Sequence, residues 1–180
     1  MDKPMPGLMF RGMSFVIKCR DLFRPRERIL EEIKLQPGYH VLDYGCGPGS
    51  YITVAARAVG EHGKIYAQDI HPLAVKKVEE AVSKTGLGNV ATICSGCATG
   101  LPDGAVDVVL LYDIFHMLGE PEVVLRELHR VMKEHAVLSF SDHHMKEDDI
   151  VARVTGTNLF ELSRKGRFTY TFSKWPIGKT

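Results

Sequence analysis

Two carboxylates flank a glycine-rich segment in the first half of the chain. Asp43 precedes a run in which Gly45, Gly47 and Gly49 alternate with other residues, and Asp69 ends a later apolar segment. Glycine has no Cβ, so an alternating set of glycines allows the backbone to pass close to a ligand. An acid at the end of a second strand lies where a ribose with two free hydroxyls needs an acceptor. The pattern therefore predicts a site for a nucleoside-type cofactor.

The spacing of these residues distinguishes between nucleotide cofactors. A dinucleotide-binding turn has the order G-x-G-x-x-G and holds a pyrophosphate at a helix N-terminus. Here the third glycine comes one residue early, and Asp43 lies two positions before the first glycine. A carboxylate beside the turn repels a pyrophosphate but attracts a cation such as an ammonium group. We therefore expect S-adenosylmethionine, which carries an ammonium, a sulfonium and an unphosphorylated ribose, rather than NAD.

Three segments, in order along the chain, resemble class I S-adenosylmethionine-dependent methyltransferases. Residues 43–49, Asp-Tyr-Gly-Cys-Gly-Pro-Gly, look like motif I of that family, and residues 69–72, Asp-Ile-His-Pro, look like the end of its second strand. Residues 101–109 are similar to the loop and fourth strand of the ubiquinone/menaquinone-type, small-molecule branch. The likeness extends from about Arg26 to Phe140 and implies S-adenosyl-L-methionine as the cofactor.

The resemblance also implies roles for individual residues in cofactor binding. Asp43 is expected near the amino-acid end of the cofactor, and Asp69 is expected to accept both ribose hydroxyls, with Ile70 packing on the adenine. Asp69 could instead be the N-cap of the following helix. The whole predicted cofactor-binding set comprises Asp43, Tyr44, Gly45, Cys46, Gly47, Gly49, Asp69, Ile70, Gly96, Cys97, Ala98 and Tyr112.

One part of this set departs from the family pattern. The family often has an acidic or small polar residue where Gly96, Cys97 and Ala98 stand, and a thiol is a weak acceptor. Adenine recognition is therefore expected to use the backbone and apolar contacts. Cys94 and Cys97 also allow a zinc or redox interpretation, but zinc needs two further ligands and a redox pair normally begins a helix. We interpret both as structural thiols.

Polar residues follow the predicted fourth and fifth strands. Because the carboxyl ends of parallel strands line one crevice, these side chains are expected near the transferring methyl group. The predicted catalytic residues are Tyr112, Asp113, His116 and His143. Histidine exchanges protons near neutral pH, so His116 or His143 could be a general base, although His116 could equally be an exposed residue at a helix start.

A metal site at the same strand ends is the competing interpretation. It would use Asp142, His143 and His144 together with His116. Adjacent histidines on an extended chain point in opposite directions, so His143 and His144 rarely bind one ion. The sequence therefore predicts no metal.

Alternation of strands and helices predicts an α/β fold with a doubly wound, mostly parallel seven-stranded sheet and an antiparallel last strand. The predicted strands are 40–44, 64–68, 90–94, 106–112, 136–140, 158–163 and 167–172. Further helices are predicted from a Ser50 cap to Val59, from Leu73 to Gly86, over 120–133 and over 148–154. We also expect a turn at 133–135, a hairpin tip at 164–167, and Phe168, Tyr170 and Phe172 on one buried face.

The segment before the sheet is rich in methionine and phenylalanine, with Gly7 and Gly12 expected as breaks. We predict that residues 1–23 form an arm or a lid over the acceptor pocket, and that residues 24–180 form the S-adenosylmethionine-binding domain. The flexible methionines of such an arm adapt to varied apolar surfaces. A cluster of arginines at the junction is expected to be a solvated helix face, comprising Arg20, Arg24, Arg26 and Arg28.

Composition limits the remaining possibilities. The chain has 180 residues, 44% of them hydrophobic, which is enough for one globular core. A net charge of +1 favours no nucleic-acid partner. We expect no signal peptide, membrane span or disulfide framework, and therefore a cytoplasmic protein whose oligomeric state the sequence leaves open.

These features predict methyl transfer to a small-molecule acceptor that the sequence does not identify. One alternative is a non-catalytic module that binds S-adenosylmethionine or S-adenosylhomocysteine, and another is a protein- or RNA-directed methyltransferase. The near-neutral charge and the absence of an appended recognition domain disfavour the second. A nicotinamide-dependent oxidoreductase is disfavoured by the glycine spacing.

Overall fold

The computed structural model describes residues 4–23 and 26–175, and within them seven strands form one sheet. The strand order is β3-β2-β1-β4-β5-β7-β6. The strands are β1 His40–Tyr44, β2 Lys64–Asp69, β3 Val90–Cys94, β4 Val106–Tyr112, β5 Met132–Ser141, β6 Phe160–Lys165 and β7 Tyr170–Lys174. β7 pairs antiparallel with β5 and β6, and the other pairs are parallel. The predicted fold class is confirmed.

Helices cover both faces of this sheet. They are α1 Gly7–Phe23, α2 Arg26–Glu31, α3 Ile52–Val59, α4 Pro72–Thr85, α5 Pro121–Val131 and α6 Glu147–Thr155, with a 3-10 turn at Phe115–Met117. Alternate residues of one strand enter different cores: Leu42 packs in the core under α5 and α6, whereas Val41 packs in the core under α3 and α4. The central strands are therefore apolar on both faces, as a doubly covered sheet requires.

The order of the strands determines where a ligand can bind. β1 lies between β2 and β4, so the chain leaves β1 toward one edge of the sheet and later returns on its other side. Open parallel sheets bind ligands outside the carboxyl ends of the strands at such a switch point. The segments after Tyr44 and Tyr112 are therefore adjacent, and both face the crevice.

The start of α3 differs from the sequence prediction. Ser50 does not cap the helix, which begins at Ile52 after Tyr51 and has no side-chain cap. The preceding residues are held in a turn, in which the Gly49 N–H donates to the Cys46 carbonyl at 3.0 Å. This turn delays the helix, and Ser50 instead faces the crevice.

The turn predicted at 133–135 is wrong, because α5 ends at Val131 and β5 begins at once with Met132. Met132 pairs with Val106, and the next pair along the two strands is Val137 with Val108. Residues 133–136 of β5 therefore lie opposite a single residue of β4 and form a bulge. Lys133 lies in this bulge and its Nζ is 2.7 Å from Asp107 Oδ1. This ion pair ties the bulged strand to the start of β4.

The terminal hairpin is shifted toward the C-terminus relative to the prediction. β6 continues to Lys165 and β7 begins at Tyr170, so the tip comprises residues 166–169 and not 164–167. The Glu32 carboxylate accepts hydrogen bonds from the backbone N–H groups of Arg167, Phe168 and Thr169 at 2.9–3.1 Å. These residues are therefore withdrawn from the strand ladder. Phe168 is 40% exposed, so its predicted place on a buried face is wrong.

The N-terminal segment forms the continuous helix α1, so the expected glycine breaks are wrong. Gly7 is its first residue and Gly12 lies inside it. Arg26, expected on a solvated face, is 6% exposed, and its Nη1 donates to Tyr51 Oη at 2.8 Å. The side chains of Arg20 and Arg24 lie outside the described residues. In the part of the chain that is described, no helix is both long and apolar enough to cross a bilayer.

Candidate functional site

A cavity of about 460 Å³ lies at the carboxyl ends of β1, β2 and β4. This volume is within the usual range for a small-ligand site. One wall is the loop after β1, and another is the segment Asp69-Ile70-His71 after β2. Tyr112 and Asp113 contribute the end of β4. Helix α1 covers the cavity with apolar side chains, namely Phe10, Met13 and Ile17.

The glycine turn has a backbone conformation that favours glycine. Gly45, Gly47 and Gly49 have φ angles of +74°, +52° and +86°, a region that disfavours side chains. A Cβ on Gly45 would be 2.9 Å from Ile114 Cγ1, and one on Gly49 would be 2.9 Å from Val78 Cγ2. Gly45 and Gly47 line the cavity, whereas Gly49 permits the turn to pack on α4.

Asp69 closes this turn with its carboxylate. Oδ2 accepts a hydrogen bond from the Gly47 N–H at 2.9 Å, and Oδ1 accepts one from the His71 N–H at 2.7 Å. The N-cap of α4 is His71, whose Nδ1 accepts from the Leu73 N–H at 3.1 Å, so the alternative capping role does not belong to Asp69. Each carboxylate oxygen can accept a second bond, so two ribose hydroxyls fit the remaining lone pairs.

Asp43 is the second acid at the cavity, and it is only 3% exposed. Its Oδ2 has no hydrogen-bond partner among the described residues. Burial, together with the charge of Asp69, raises the pKa of Asp43 from 3.8 to about 7. Burial also raises the pKa of Asp69. A buried acceptor without a partner, next to a second acid, fits a ligand that brings a positive charge.

Gln68 is a structural residue of the site that sequence reasoning missed. Its side chain is 2% exposed, and Nε2 donates to the carbonyls of Ser95 and Gly96 at 2.7 and 2.8 Å. Its backbone carbonyl accepts from the N–H groups of Gly45 and Cys46, both at 2.9 Å. Gln68 therefore fixes the loop after β1 against the loop after β3. A buried amide in the apolar strand β2 is the signal that could have identified it.

The residues predicted around the adenine are only partly brought together. Ile70, Gly96 and Cys97 line the cavity, but Ala98 is exposed and lies outside it. Tyr44 and Cys46 also line it, and the Tyr44 hydroxyl donates to the Gly96 carbonyl at 3.4 Å. Burial raises the pKa values of the Tyr44 hydroxyl and the Cys46 thiol, so both remain protonated at neutral pH.

Tyr112 contributes a ring to the cavity wall. It is 7% exposed, and its ring centroid lies 4.9 Å from that of Tyr51. Its hydroxyl hydrogen-bonds to Ser139 Oγ at 2.7 Å, and burial raises its pKa well above the ordinary value. The hydroxyl is therefore tied back into the sheet and remains protonated.

Asp113 and His143 form a pair at the edge of the cavity. Asp113 has a φ of +54°, and its Oδ1 accepts from His143 Nδ1 at 2.6 Å and from the His143 N–H at 3.2 Å. Since an ionised carboxylate only accepts, Nδ1 is the donor in this pair, and in the neutral ring Nε2 carries the lone pair. Asp113 lines this cavity and also a second cavity, in which His143 lies.

His116 lies apart from the first cavity. Its Nδ1 is 2.9 Å from Asp142 Oδ2, and its N–H donates to the same oxygen at 3.0 Å. The His144 ring lies between those of His116 and His143, at centroid distances of 4.3 and 3.9 Å. The two histidines thus bind different carboxylates. Across residues 4–23 and 26–175, no group of three or more His, Cys, Asp or Glu side chains is arranged to hold a metal ion.

Contacts from α1 and its preceding residues reach the site at His71. Because His71 Nδ1 accepts from Leu73, Nε2 carries the proton and donates to the Met5 carbonyl at 3.0 Å. The Phe10 ring stacks on the His71 ring at 4.3 Å. The N-terminal segment is therefore anchored two residues after Asp69. The contact between Met5 and His71 could not be predicted from the sequence, because it joins residues 66 positions apart.

Comparison with known proteins gives a consistent family. A family model described as a methyltransferase domain matches residues 35–172. The solved structure of a SAM-dependent methyltransferase from Aquifex aeolicus is 32% identical, with a TM-score of 0.74 over 82% of this chain and 86% of that one. A structure from Methanococcus maripaludis is 14% identical and has a TM-score of 0.78 over 98% of both chains, a likeness of fold alone.

The match to a curated relative covers a smaller share of that relative's length. The demethylmenaquinone methyltransferase of Geobacillus kaustophilus is 34% identical over 123 residues, which are 67% of this chain and 52% of that protein. The chain thus spans about half the length of the curated relatives it matches.

Proposed function

Since the chain belongs to the methyltransferase-domain family, we propose that it transfers a methyl group from S-adenosylmethionine to a small-molecule acceptor. The Geobacillus relative is named a demethylmenaquinone methyltransferase, which supports an acceptor that is not a protein or a nucleic acid. A cavity of this volume with apolar walls and few polar groups is typical of small-molecule sites.

The observation that carries this proposal is the pair of acids on either side of the glycine turn. Asp43 provides a buried oxygen without a partner for the ammonium group, and Asp69 provides a fixed carboxylate for the ribose. Ile70, Gly96 and Cys97 line the same cavity and are proposed to surround the adenine. A pyrophosphate would meet two carboxylates at this turn, which disfavours a dinucleotide.

When bound, the cofactor supplies a methyl group on a positively charged sulfur. The acceptor's lone pair forms the new bond to the methyl carbon, the carbon–sulfur bond breaks, and its electron pair stays on sulfur as a neutral thioether. The acceptor must then lose a proton if it attacks as an O–H or N–H group. The chain's part is to hold both molecules in line, exclude water and accept that proton.

We assign the proton acceptor to His143. Asp113 fixes the ring through Nδ1, which leaves Nε2 as the basic atom, and Asp113 itself borders the cofactor cavity. Tyr112 is proposed to position the acceptor with its ring, since its hydroxyl is bonded to Ser139. His116 is proposed to position this cluster through Asp142 rather than to touch the acceptor.

The N-terminal helix is proposed as a lid. Phe10, Met13 and Ile17 provide an apolar wall over the cavity, which keeps water from the sulfonium and the attacking atom. Anchorage of the segment to His71 places this wall close to the cofactor loop.

Methyl transfer is tested directly with cofactor labelled in the methyl group. The protein is incubated with this cofactor and with fractionated small metabolites, and label is sought in a product other than the cofactor. Label in a metabolite together with S-adenosylhomocysteine supports the enzyme. Tight cofactor binding with no labelled metabolite in any fraction would favour the non-catalytic binding module.

Replacement of His143 by alanine is expected to lower the rate of label transfer by about a hundredfold or more, since a positioned base contributes that much. Affinity for S-adenosylhomocysteine is expected to stay within about twofold of the unmodified protein. His135→Ala is the matched control, because His135 is exposed on the β5 bulge at the start of the strand. Full activity of His143→Ala would refute the assignment of the base.

A further inference from the structure

A second cavity of about 450 Å³ adjoins the first. The two cavities share Tyr51 and Asp113 in their walls. The second is enclosed by α2, the loop after β5 and the tip of the β6–β7 hairpin. It therefore lies on the acceptor side of the cofactor site, and His143 lines it.

The charge of this second cavity is predominantly positive. Four of its lining residues carry a positive charge, namely Arg26, Arg28, Lys165 and Arg167. Two lining residues are acids, Asp113 and Asp142, and each already accepts a hydrogen bond from a histidine ring. Lys165 is paired with Glu147 at 2.6 Å, and Arg26 is bound to Tyr51, so Arg28 and Arg167 are the cations of this wall considered for a ligand.

Hydrogen bonds join the two backbone segments that carry Arg28 and Arg167. Glu32, which follows α2, binds the hairpin tip through the N–H groups of Arg167, Phe168 and Thr169, and its Oε2 accepts from the Thr169 hydroxyl at 2.8 Å. The Arg164 guanidinium also donates to the Glu32 carbonyl. The two walls that carry Arg28 and Arg167 are therefore held at a set separation, which makes the cavity a preformed site.

The buried arginine connects the two cavities. Arg26 Nη1 donates to Tyr51 Oη at 2.8 Å, and the guanidinium carbon lies 4.9 Å from the centre of the Tyr51 ring. Tyr51 in turn packs edge-on against Tyr112 in the cofactor cavity. A positive charge thus lies directly behind the wall that separates the cofactor from the second cavity.

We propose that the second cavity binds a carboxylate or phosphate group of the methyl acceptor, with Arg28 and Arg167 as its ligands. Guanidinium groups match the geometry of both anions and bind them through paired hydrogen bonds. The acceptor then extends past Asp113 and His143 toward the methyl group. This inference rests on the proposed function and specifies its substrate class as small acidic molecules.

Three probes of matched shape test the site: benzoate, phenyl phosphate and benzamide. Each is titrated into the protein saturated with S-adenosylhomocysteine, and binding is followed by the chemical shifts of histidine ring protons. Benzoate or phenyl phosphate is expected to bind at least tenfold more tightly than neutral benzamide. Preference for benzoate indicates a carboxylate acceptor, and preference for phenyl phosphate indicates a phosphate acceptor.

Exposed arginines make safe variants for this test. Arg28→Gln and Arg167→Gln are each expected to weaken binding of the preferred anion by about tenfold, with unchanged affinity for S-adenosylhomocysteine. Arg126→Gln is the matched control, because Arg126 is 60% exposed on α5 and lies outside both cavities. Equal binding of benzamide, or anion binding that both variants leave unchanged, would overturn the proposal.

Failure of this inference can be separated from failure of the proposed function. A protein that binds S-adenosylhomocysteine but shows no preference for an anion loses only the assignment of the second cavity. A protein that does not bind S-adenosylhomocysteine loses the proposed function, and the anion titrations can then be repeated on the protein alone.

Discussion

Replacement of Asp43 by asparagine is expected to make the free protein more stable at pH 8 by about 2–4 kcal/mol. The side chain is buried, its Oδ2 has no partner among the described residues, and its pKa is raised from 3.8 to about 7. A carboxyl group whose pKa is higher in the folded state than in the unfolded state makes its full contribution to stability at pH values below the unfolded-state pKa. That contribution is lost as the pH rises through the folded-state pKa. The gain from asparagine should therefore develop between about pH 4 and 7 and be absent at pH 4.

The measurement is thermal or urea unfolding of both proteins as a function of pH. Asp107→Asn is the matched control, because Asp107 lies near the start of β4, at the end away from the cavity, and is paired with Lys133. That variant should lose stability at pH 8. An Asp43→Asn protein less stable than the unmodified protein at pH 8 would show that the Asp43 carboxylate is satisfied in the folded state.

Replacement of Asp43 by asparagine is also expected to weaken binding of S-adenosylhomocysteine by about tenfold to a hundredfold. A charge-assisted hydrogen bond contributes about 1.5–3 kcal/mol, and the asparagine removes the charge that the ammonium group needs. 5′-Methylthioadenosine has the same nucleoside without the amino-acid part, so its affinity should change little. Equal losses for the two ligands would place Asp43 away from the ammonium group.

Replacement of Asp69 by alanine is expected to weaken both ligands, each by about 1.5–3 kcal/mol. Both contain the ribose whose hydroxyls this carboxylate is proposed to accept. The substitution also removes the acceptor for the Gly47 and His71 N–H groups, which loosens the turn. Calorimetric titration of the two ligands against the two variants gives the four values needed.

The decisive result is that the two variants change the affinities of the two ligands in different ways. Asp43→Asn should discriminate between S-adenosylhomocysteine and methylthioadenosine, whereas Asp69→Ala should not. Unchanged binding of both ligands to Asp69→Ala would refute the ribose assignment.

The parts of the site that could be predicted from sequence depend on local signals. The absence of a Cβ at Gly45, Gly47 and Gly49 follows from residue type and predicts a close approach of the backbone to a ligand, and the apolar strands on either side determine where the turn lies. The mostly parallel sheet, covered on both faces, follows from the alternation of its strands with helices. Asp43 and Asp69, the two acids that the sequence predicts on either side of this turn, both line the cavity.

The parts that could not be predicted depend on contacts between distant residues. The hairpin tip is displaced by Glu32, which is about 135 positions away from it in the chain. Arg26 is buried because Tyr51 provides an acceptor, although a run of arginines is typical of a solvated face. His116 and His143 were both expected near the transferring methyl group, but they bind different carboxylates, Asp142 and Asp113, and only His143 pairs with a residue that lines the first cavity.

The turn between β1 and α3 is proposed to bind a sulfonium-type nucleoside together with two acids, Asp43 in β1 and Asp69 at the end of β2. Calorimetric titration of the unmodified protein with S-adenosylhomocysteine at pH 6 and pH 8, with NAD as the comparison ligand, tests it most directly. Because Asp43 has a pKa of about 7 and must ionise to bind an ammonium group, affinity for S-adenosylhomocysteine should rise about tenfold between these pH values. Tighter binding of NAD, or no binding of S-adenosylhomocysteine at either pH, would contradict the claim.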